Sequence, residues 1–236
     1  IGSMDPGINV VSLGFSGSVE GYRYVGGITG MARSDMDQGT FSGNVTATYM
    51  DVGGIAGFNS GNITNSQAEG NITGSQENAG GIAGGSTGTI TSCTFTGTIT
   101  ASGYDTGGVV GENQGGTVDS CWSQADIDSP YRTGGLVGTT WGGGTVKNSH
   151  ASGNVSGTDM VGGLIGKALG SNIHSSISRA DVSGHDMVGG VIGTAAGLSV
   201  IAGTKSITGT VQGNNYTAGV VGYASAVSYT HLTLPT

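Results

Sequence analysis

A Gly-Gly pair returns along this 236-residue chain at near-constant spacing. Pairs open at Gly26, Gly53, Gly80, Gly107, Gly134, Gly162 and Gly189. An eighth copy follows at Ala218-Gly219, where alanine replaces the first glycine. Self-similarity at a period of about 27 residues is the mark of a solenoid, in which one small unit is stacked many times and each copy touches only its neighbours. No copy carries a residue set built for chemistry, which argues against an enzyme.

The 50 glycines are about three times the usual frequency of roughly 7%. Three prolines and no three-residue period exclude collagen. The apolar residues are periodic, which a disordered chain has no reason to maintain. Charge is sparse, with seven Lys and Arg against fifteen Asp and Glu, for a net charge of −8. Without a basic cluster, nucleic acid and anionic membranes are not expected partners. No apolar run approaches the roughly 20 residues that cross a bilayer. The chain opens in mid-pattern and reads as an internal fragment.

Aligned on the glycine pairs, each unit shows three strand-like pieces. The first is apolar-Gly-Gly-apolar-x-Gly, with Ile28, Ile55, Ile82, Val109, Leu136, Leu164, Val191 and Val220 at its key position. The second carries Met36, Ile63, Ile90, Val118, Val146 and Ile173, with Gly39, Ser66, Cys93, Cys121, Ser149 and Ser176 three positions on. In the seventh copy Lys205 falls in that small-residue column, so a distorted coil is expected there. The third piece alternates strictly about Val19, Val45, Ile72, Ile99, Ile127, Val155, Val182 and Val211. Period two with β-branched centres indicates strands with one face inward. Three strands within one such period leave no room for a helix. The predicted fold is all-β: a three-sided parallel β-helix of about eight coils, about 27 residues each, right-handed by the crossover rule. The glycines are expected to turn corners at positive φ and to make room beside inward Ile and Val.

Residues 1–226 are expected to form this single β-solenoid. The C-terminal segment, Val227–Thr236, resembles a translated sequencing adapter and is set aside as a non-native tail, His231 with it.

The cores Val161–Gly166 (Val-Gly-Gly-Leu-Ile-Gly) and Thr133–Gly138 (Thr-Gly-Gly-Leu-Val-Gly) resemble the GLUG motif. The resemblance covers residues 25–226. It implies a bacterial cell-surface or secreted protein of the adhesin-like or immunoglobulin A1 peptidase-associated kind, with the repeats as non-catalytic stalk or binding segments. The peptidase relatives carry His-Glu-x-x-His in a separate domain. None of the four histidines here is followed by Glu, so nothing transfers from that domain.

Several residues are candidate sites. Trp122, Tyr131 and Trp141 lie in neighbouring coils and could stack on sugar rings, or could simply cap coil corners. Cys93 and Cys121 share a column in adjacent coils, close enough for a disulfide, or are two small core residues. Asp51, Asp105, Asp159 and Asp186 precede the glycine pairs and could bind calcium or serve the turns. His150 and His174 lack a third ligand, so no metal site is expected, and no cofactor. Thr29, Ala56, Ala83, Val110, Val137, Ile165, Ile192 and Val221 should face outward by alternation. They would then form an aliphatic stripe for lateral self-association, unless the corner shields them.

The leading reading is a non-catalytic structural or adhesive segment, a rigid stalk or binding rod outside the cell, with a host glycan or extracellular protein as partner. The alternative is a carbohydrate-active β-helix of the polysaccharide lyase or hydrolase kind, or a glycan-binding module. A lyase needs carboxylates and basic side chains converging in a groove. Here Arg23, Arg33, Arg132, Lys147, Lys167, Arg179 and Lys205 form no column. Ice binding is set aside, because the outward column Thr64, Thr91, Asp119, Lys147, His174 is too irregular.

Overall fold

Each coil contributes four short strands to three all-parallel sheets. The computed structural model describes residues 1–74, 76–207 and 209–230, and no helix occurs among them. In one representative coil the strands are Glu77–Gly80, Ala83–Ser86, Thr89–Thr91 and Thr94–Ala101. Strands equivalent to Ala83–Ser86 form one nine-stranded sheet, and those equivalent to Thr89–Thr91 form another. The other two kinds share a fifteen-stranded sheet with two arms. Thr40–Gly53 runs unbroken through both arms and joins them. We call the arm of Thr94–Ala101 the long arm and that of Glu77–Gly80 the wall. The fold is thus the expected β-solenoid of about eight turns, each about 27 residues long.

Register follows the repeat. Val45 lies opposite Ile72, Ile72 opposite Ile99, Ile99 opposite Ile127, Ile127 opposite Val155 and Val155 opposite Val182. All six are buried, as are Ile63, Ile90, Val118, Val146 and Ile173 of the second column. Each aliphatic residue removed from water in this way contributes roughly 1.5–3 kcal/mol. Along a third column Phe41, Ala68, Phe95, Ser123, Ala151 and Ser178 stack in register, so that each phenyl ring spreads over a small neighbour.

The glycine pairs turn the corner between the wall and the next sheet, but not by positive φ. The left-handed conformation falls two positions before each pair, at Tyr24, Asp51, Asn78, Asp105, Arg132, Met160, Met187 and Tyr216, with φ between 48° and 60°. What the pair supplies is close approach. A Cβ on Gly80 would lie 2.0 Å from the Ala83 carbonyl oxygen, and one on Gly81 would lie 2.2 Å from the Phe95 ring and 2.3 Å from the Gly108 oxygen. The bare corner lets amides stack from coil to coil. Ile55 N–H donates to Ile82 (3.0 Å), Ile82 to Val109 (2.9 Å) and Val109 to Leu136 (2.8 Å). A second glycine column combines close approach with positive φ, at 147° for Gly43, 131° for Gly70 and 146° for Gly97. A Cβ on Gly43, Gly70 or Gly97 would meet the carbonyl of the coil below at 1.8–1.9 Å.

The corner also corrects the expected aliphatic stripe. Ala56, Ala83, Val110, Val137, Ile165 and Ile192 are fully buried. Alternation does not carry across a bend, so the residues on both sides of it enter the core. An outward stripe for self-association is absent there.

Two polar columns run inside the solenoid. The small-residue column continues through Thr204, not Lys205, which is exposed and pairs with Ile177 on the long arm. Each member satisfies itself locally. Ser66, Ser149, Ser176 and Thr204 donate to the carbonyl two positions back, at 2.7–3.1 Å. Ser66, Ser149 and Ser176 also accept the N–H of the preceding coil's residue. The seventh coil is irregular only further on, where the long strand shrinks to Lys205–Ser206 and Val211–Gln212. The second column is Asn59, Ser86, Asn113 and Thr140, with Asn59 Nδ2 on Ser86 Oγ (3.2 Å) and Asn113 Nδ2 on Thr140 Oγ1 (3.2 Å).

At the far end the paired backbone passes the expected boundary at 226. Ser228–Thr230 lies parallel to Val200–Ala202. Residues 231–236, and His231 with them, lie outside the described residues.

Gly81→Ala is expected to cost the upper end of the roughly 1–3 kcal/mol typical of overpacking, or more. Gly219→Ala, where a Cβ meets nothing within 4 Å, should be near neutral. Denaturant midpoints of the two variants test this, and equal losses would contradict the close-approach account.

Candidate binding face

The long arm presents its outer face to solvent as rows of polar rungs. Asn44, Asn71, Thr98, Asp126, Asn154 and Asp181 stand in one outward column because strand alternation places each beside an inward Val or Ile. Neighbouring rungs bond to each other. Asn71 Nδ2 donates to Asn44 Oδ1 (2.8 Å), Thr98 Oγ1 to Asn71 Oδ1 (2.6 Å), and Asn154 Nδ2 to Asp126 Oδ1 (2.8 Å). The Thr210 backbone N–H and hydroxyl hold the Asp181 carboxyl below its ordinary range. A shallow trough of about 220 Å³ crosses Thr98, Thr100, Asp126, Asp128, Asn154 and Ser156. The neighbouring sheet repeats the pattern, with Thr64 and Asn65 donating to Asp37 and with Lys147 3.3 Å from Asp119.

The three aromatic candidates do not form a strip. Trp122 opens a long-arm strand, beside Thr94 and His150, and is half exposed. Tyr131 lies on the wall, stacked on Tyr104 with centroids 5.1 Å apart. Trp141 ends a strand of the next sheet, opposite Gln114 and Leu169, and its indole N–H donates to Glu112 (2.8 Å). A whole long strand separates the first two, and the glycine corner separates the last two. Proximity along the chain suggests neighbours where the coil carries the side chains to different sides.

Cys93 and Cys121 are buried free thiols. Cys93 Sγ donates to the Thr91 carbonyl (3.3 Å) and Cys121 Sγ to the Asp119 carbonyl (3.3 Å), as the serines of their column do. Contact with Cys121 and burial push the Cys93 thiol well above its ordinary value. His150 and His174 fall on different sheets, since His174 pairs with Lys147 and His150 with Trp122. The four aspartates also divide. Asp51 and Asp105 occupy the left-handed column, whereas Asp159 and Asp186 lie one position earlier, opposite Tyr131 and each other. Among the described residues no group of three His, Cys, Asp or Glu side chains could hold a metal ion.

The arrangement least visible in the sequence is a seam along the wall. Residues of the left-handed column meet those just after the third motif glycine. Asn78 Nδ2 lies 2.9 Å from Asp51 Oδ1 and 3.4 Å from Glu112 Oε2. The Arg132 guanidinium lies 3.1 Å from Asp105 Oδ2 and over the Tyr104 ring, and the Thr139 hydroxyl donates to Asp105. Both aspartates are nearly fully buried. Burial first, and then the charges of Glu112 and Glu77 against the Asn78 hydrogen bond, raise Asp51 to about 6. Burial also raises Asp105, opposed by Thr139 and Arg132. The sequence does carry a signal for the seam: Asp51, Asn78, Asp105 and Arg132 each stand two positions before a glycine pair.

Together these features define a β-helical repeat domain. Three stretches of the chain, residues 48–73, 75–100 and 129–156, match the profile of the GLUG motif. Among solved structures, a crystal structure of a putative immunoglobulin A1 protease from Bacteroides ovatus superposes with a TM-score of 0.51 at 18% identity. The match covers 82% of this chain and 66% of that one, and it speaks to the fold. Among curated proteins none matches the chain.

Thiol reagents should modify neither cysteine in the native protein and both on denaturation without reductant. Fewer than two thiols in the denatured, unreduced chain would establish a disulfide instead.

Proposed function

We propose that this chain is a non-catalytic structural and adhesive segment of a bacterial cell-surface or secreted protein, a stiff rod that spaces or presents other groups. The observation that carries this reading is how the outward polar side chains are used. Many spend their hydrogen bonds on the coil above or below, so they brace the rod and leave no acid, base and nucleophile converging on one point. Carboxylates and cations that do meet, such as Asp105 with Arg132 and Asp119 with Lys147, neutralise one another. At about 4.8 Å per coil, about eight coils span about 4 nm, and length scales with copy number.

A glycan is the partner this surface suits best. Trp122 offers a half-exposed ring beside rows of amide, hydroxyl and carboxylate groups, the combination that engages the apolar face and the hydroxyls of a sugar. Binding to an array of host glycans and matrix proteins, lost on Trp122→Ala with the fold intact, would support it. No binding to any of them would leave the passive stalk. Incubated with immunoglobulin A1, the chain is expected to release no fragments, and cleavage by the purified chain would overturn the non-catalytic reading.

A further inference from the structure

The wall seam repeats one site twice with different partners. Asp105 meets Arg132 one coil on and the Thr139 hydroxyl beyond it. Asp51 occupies the equivalent place, but its counterparts are Asn78, an uncharged amide, and Gly85, which has no side chain. Gly85 borders the Asp51 carboxyl so closely that a Cβ there would lie 2.8 Å from Oδ1. The charged groups around Asp51 are of its own sign: Glu112, which shares Asn78 with it, and Glu77. Arg132 is taken up by Asp105, and Lys167 lies opposite Thr139, a coil beyond it. Asp51 is therefore a buried carboxylate with one neutral donor and two acidic neighbours.

We propose that Asp51 is a proton-operated brace of the rod: carrying a proton it lets the wall strands of successive coils close on Asn78 and Glu112, and on losing it the seam loosens. The proposal concerns the stability of the solenoid and does not depend on what the rod binds. The direction follows from linkage. The native carboxyl holds its proton to about 6, against 3.8 for the ordinary group. The native state therefore gains as pH falls from about 6 toward 3.8, and that gain is lost as pH rises through 6. Asp37, Asp181 and Asp186 are shifted downward by their hydrogen bonds, so they oppose this only in more acidic solution.

The test is hydrogen exchange of the wall amides together with thermal unfolding of the full chain at pH 5.0 and 7.5. The expected result is a higher unfolding midpoint at pH 5.0 and a local opening constant about tenfold smaller. Burial shifts Asp105 and Asp159 upward as well, so the assignment rests on variants. Asp51→Asn should remove most of the difference between the two pH values. Gly85→Thr, which supplies the hydroxyl that Asp105 has in Thr139, should shrink the difference between the two pH values, whatever the crowding of its Cβ against Asp51 Oδ1 and the Phe58 ring costs the midpoint. Should Asp51→Asn fail to fold, the carboxyl carbon of Asp51 in the unmodified protein should titrate near 6 by NMR. Titration near 3.8, or an equal pH response in the unmodified protein and Asp51→Asn, would overturn the proposal.

Discussion

The amide stack at the glycine corner governs the rest of this molecule. Ile28, Ile55, Ile82, Val109, Leu136, Leu164 and Val191 each donate a backbone hydrogen bond to the equivalent residue of the next coil, at 2.8–3.0 Å. Such a run requires the bend to be identical in every coil and so narrow that backbone touches backbone. One Cβ in the wrong place lifts a coil off its neighbour. A repeat unit cannot bury its own apolar face, so it has no stability to fall back on when that contact is lost. Glycine is demanded here by distance, and the chain places its left-handed residues elsewhere.

That distinction explains which parts of the fold are legible in the sequence. Period two about Val45, Ile72 and Ile99 reveals the long strands and their register, because burial of one face leaves a direct trace in residue type. The spacing of the glycine pairs sets the coil length. The inward sense of Ala83 and Val110 is hidden, because alternation holds within a strand and fails at a bend. The displaced Lys205 has a related cause. Lys205 stands 16 positions after Gly189, beyond the 13–15 of the other units, whereas Thr204, three positions after Ile201, keeps the column. The aromatic strip fails for a third reason. Residues ten or so positions apart in a coil of this size stand on different sides, whereas those that touch are usually a full repeat apart.

The polar interior obeys the same physics. A hydroxyl or amide inside a β-solenoid costs free energy unless it is bonded. Ser66, Ser149 and Ser176 avoid that cost by bonding up and down the axis, each to its own coil and to the preceding one. Stacked like groups therefore supply each other's partners, provided the coils are in register. A slip by one position would take each hydroxyl away from the N–H it accepts in the preceding coil. The apolar columns favour stacking in general, and the polar ones single out one stacking arrangement.

The same logic separates what the repeat must keep from what it is free to change. Inward positions and corner glycines are bound by contacts in every coil. Outward rungs need only a neighbour able to share a hydrogen bond, which Asn, Asp, Thr, Ser and Lys all can do. The outer column of Thr64, Thr91, Asp119, Lys147 and His174 shows that latitude, and it holds strand register throughout while its chemistry drifts. The wall seam shows its limit. There the side chains are buried, so placing a glycine instead of a threonine opposite an aspartate leaves a carboxylate that must find a proton or bear its charge unaided. Surface chemistry can vary along this rod at little cost, whereas at the seam the same variation changes how firmly successive coils are held.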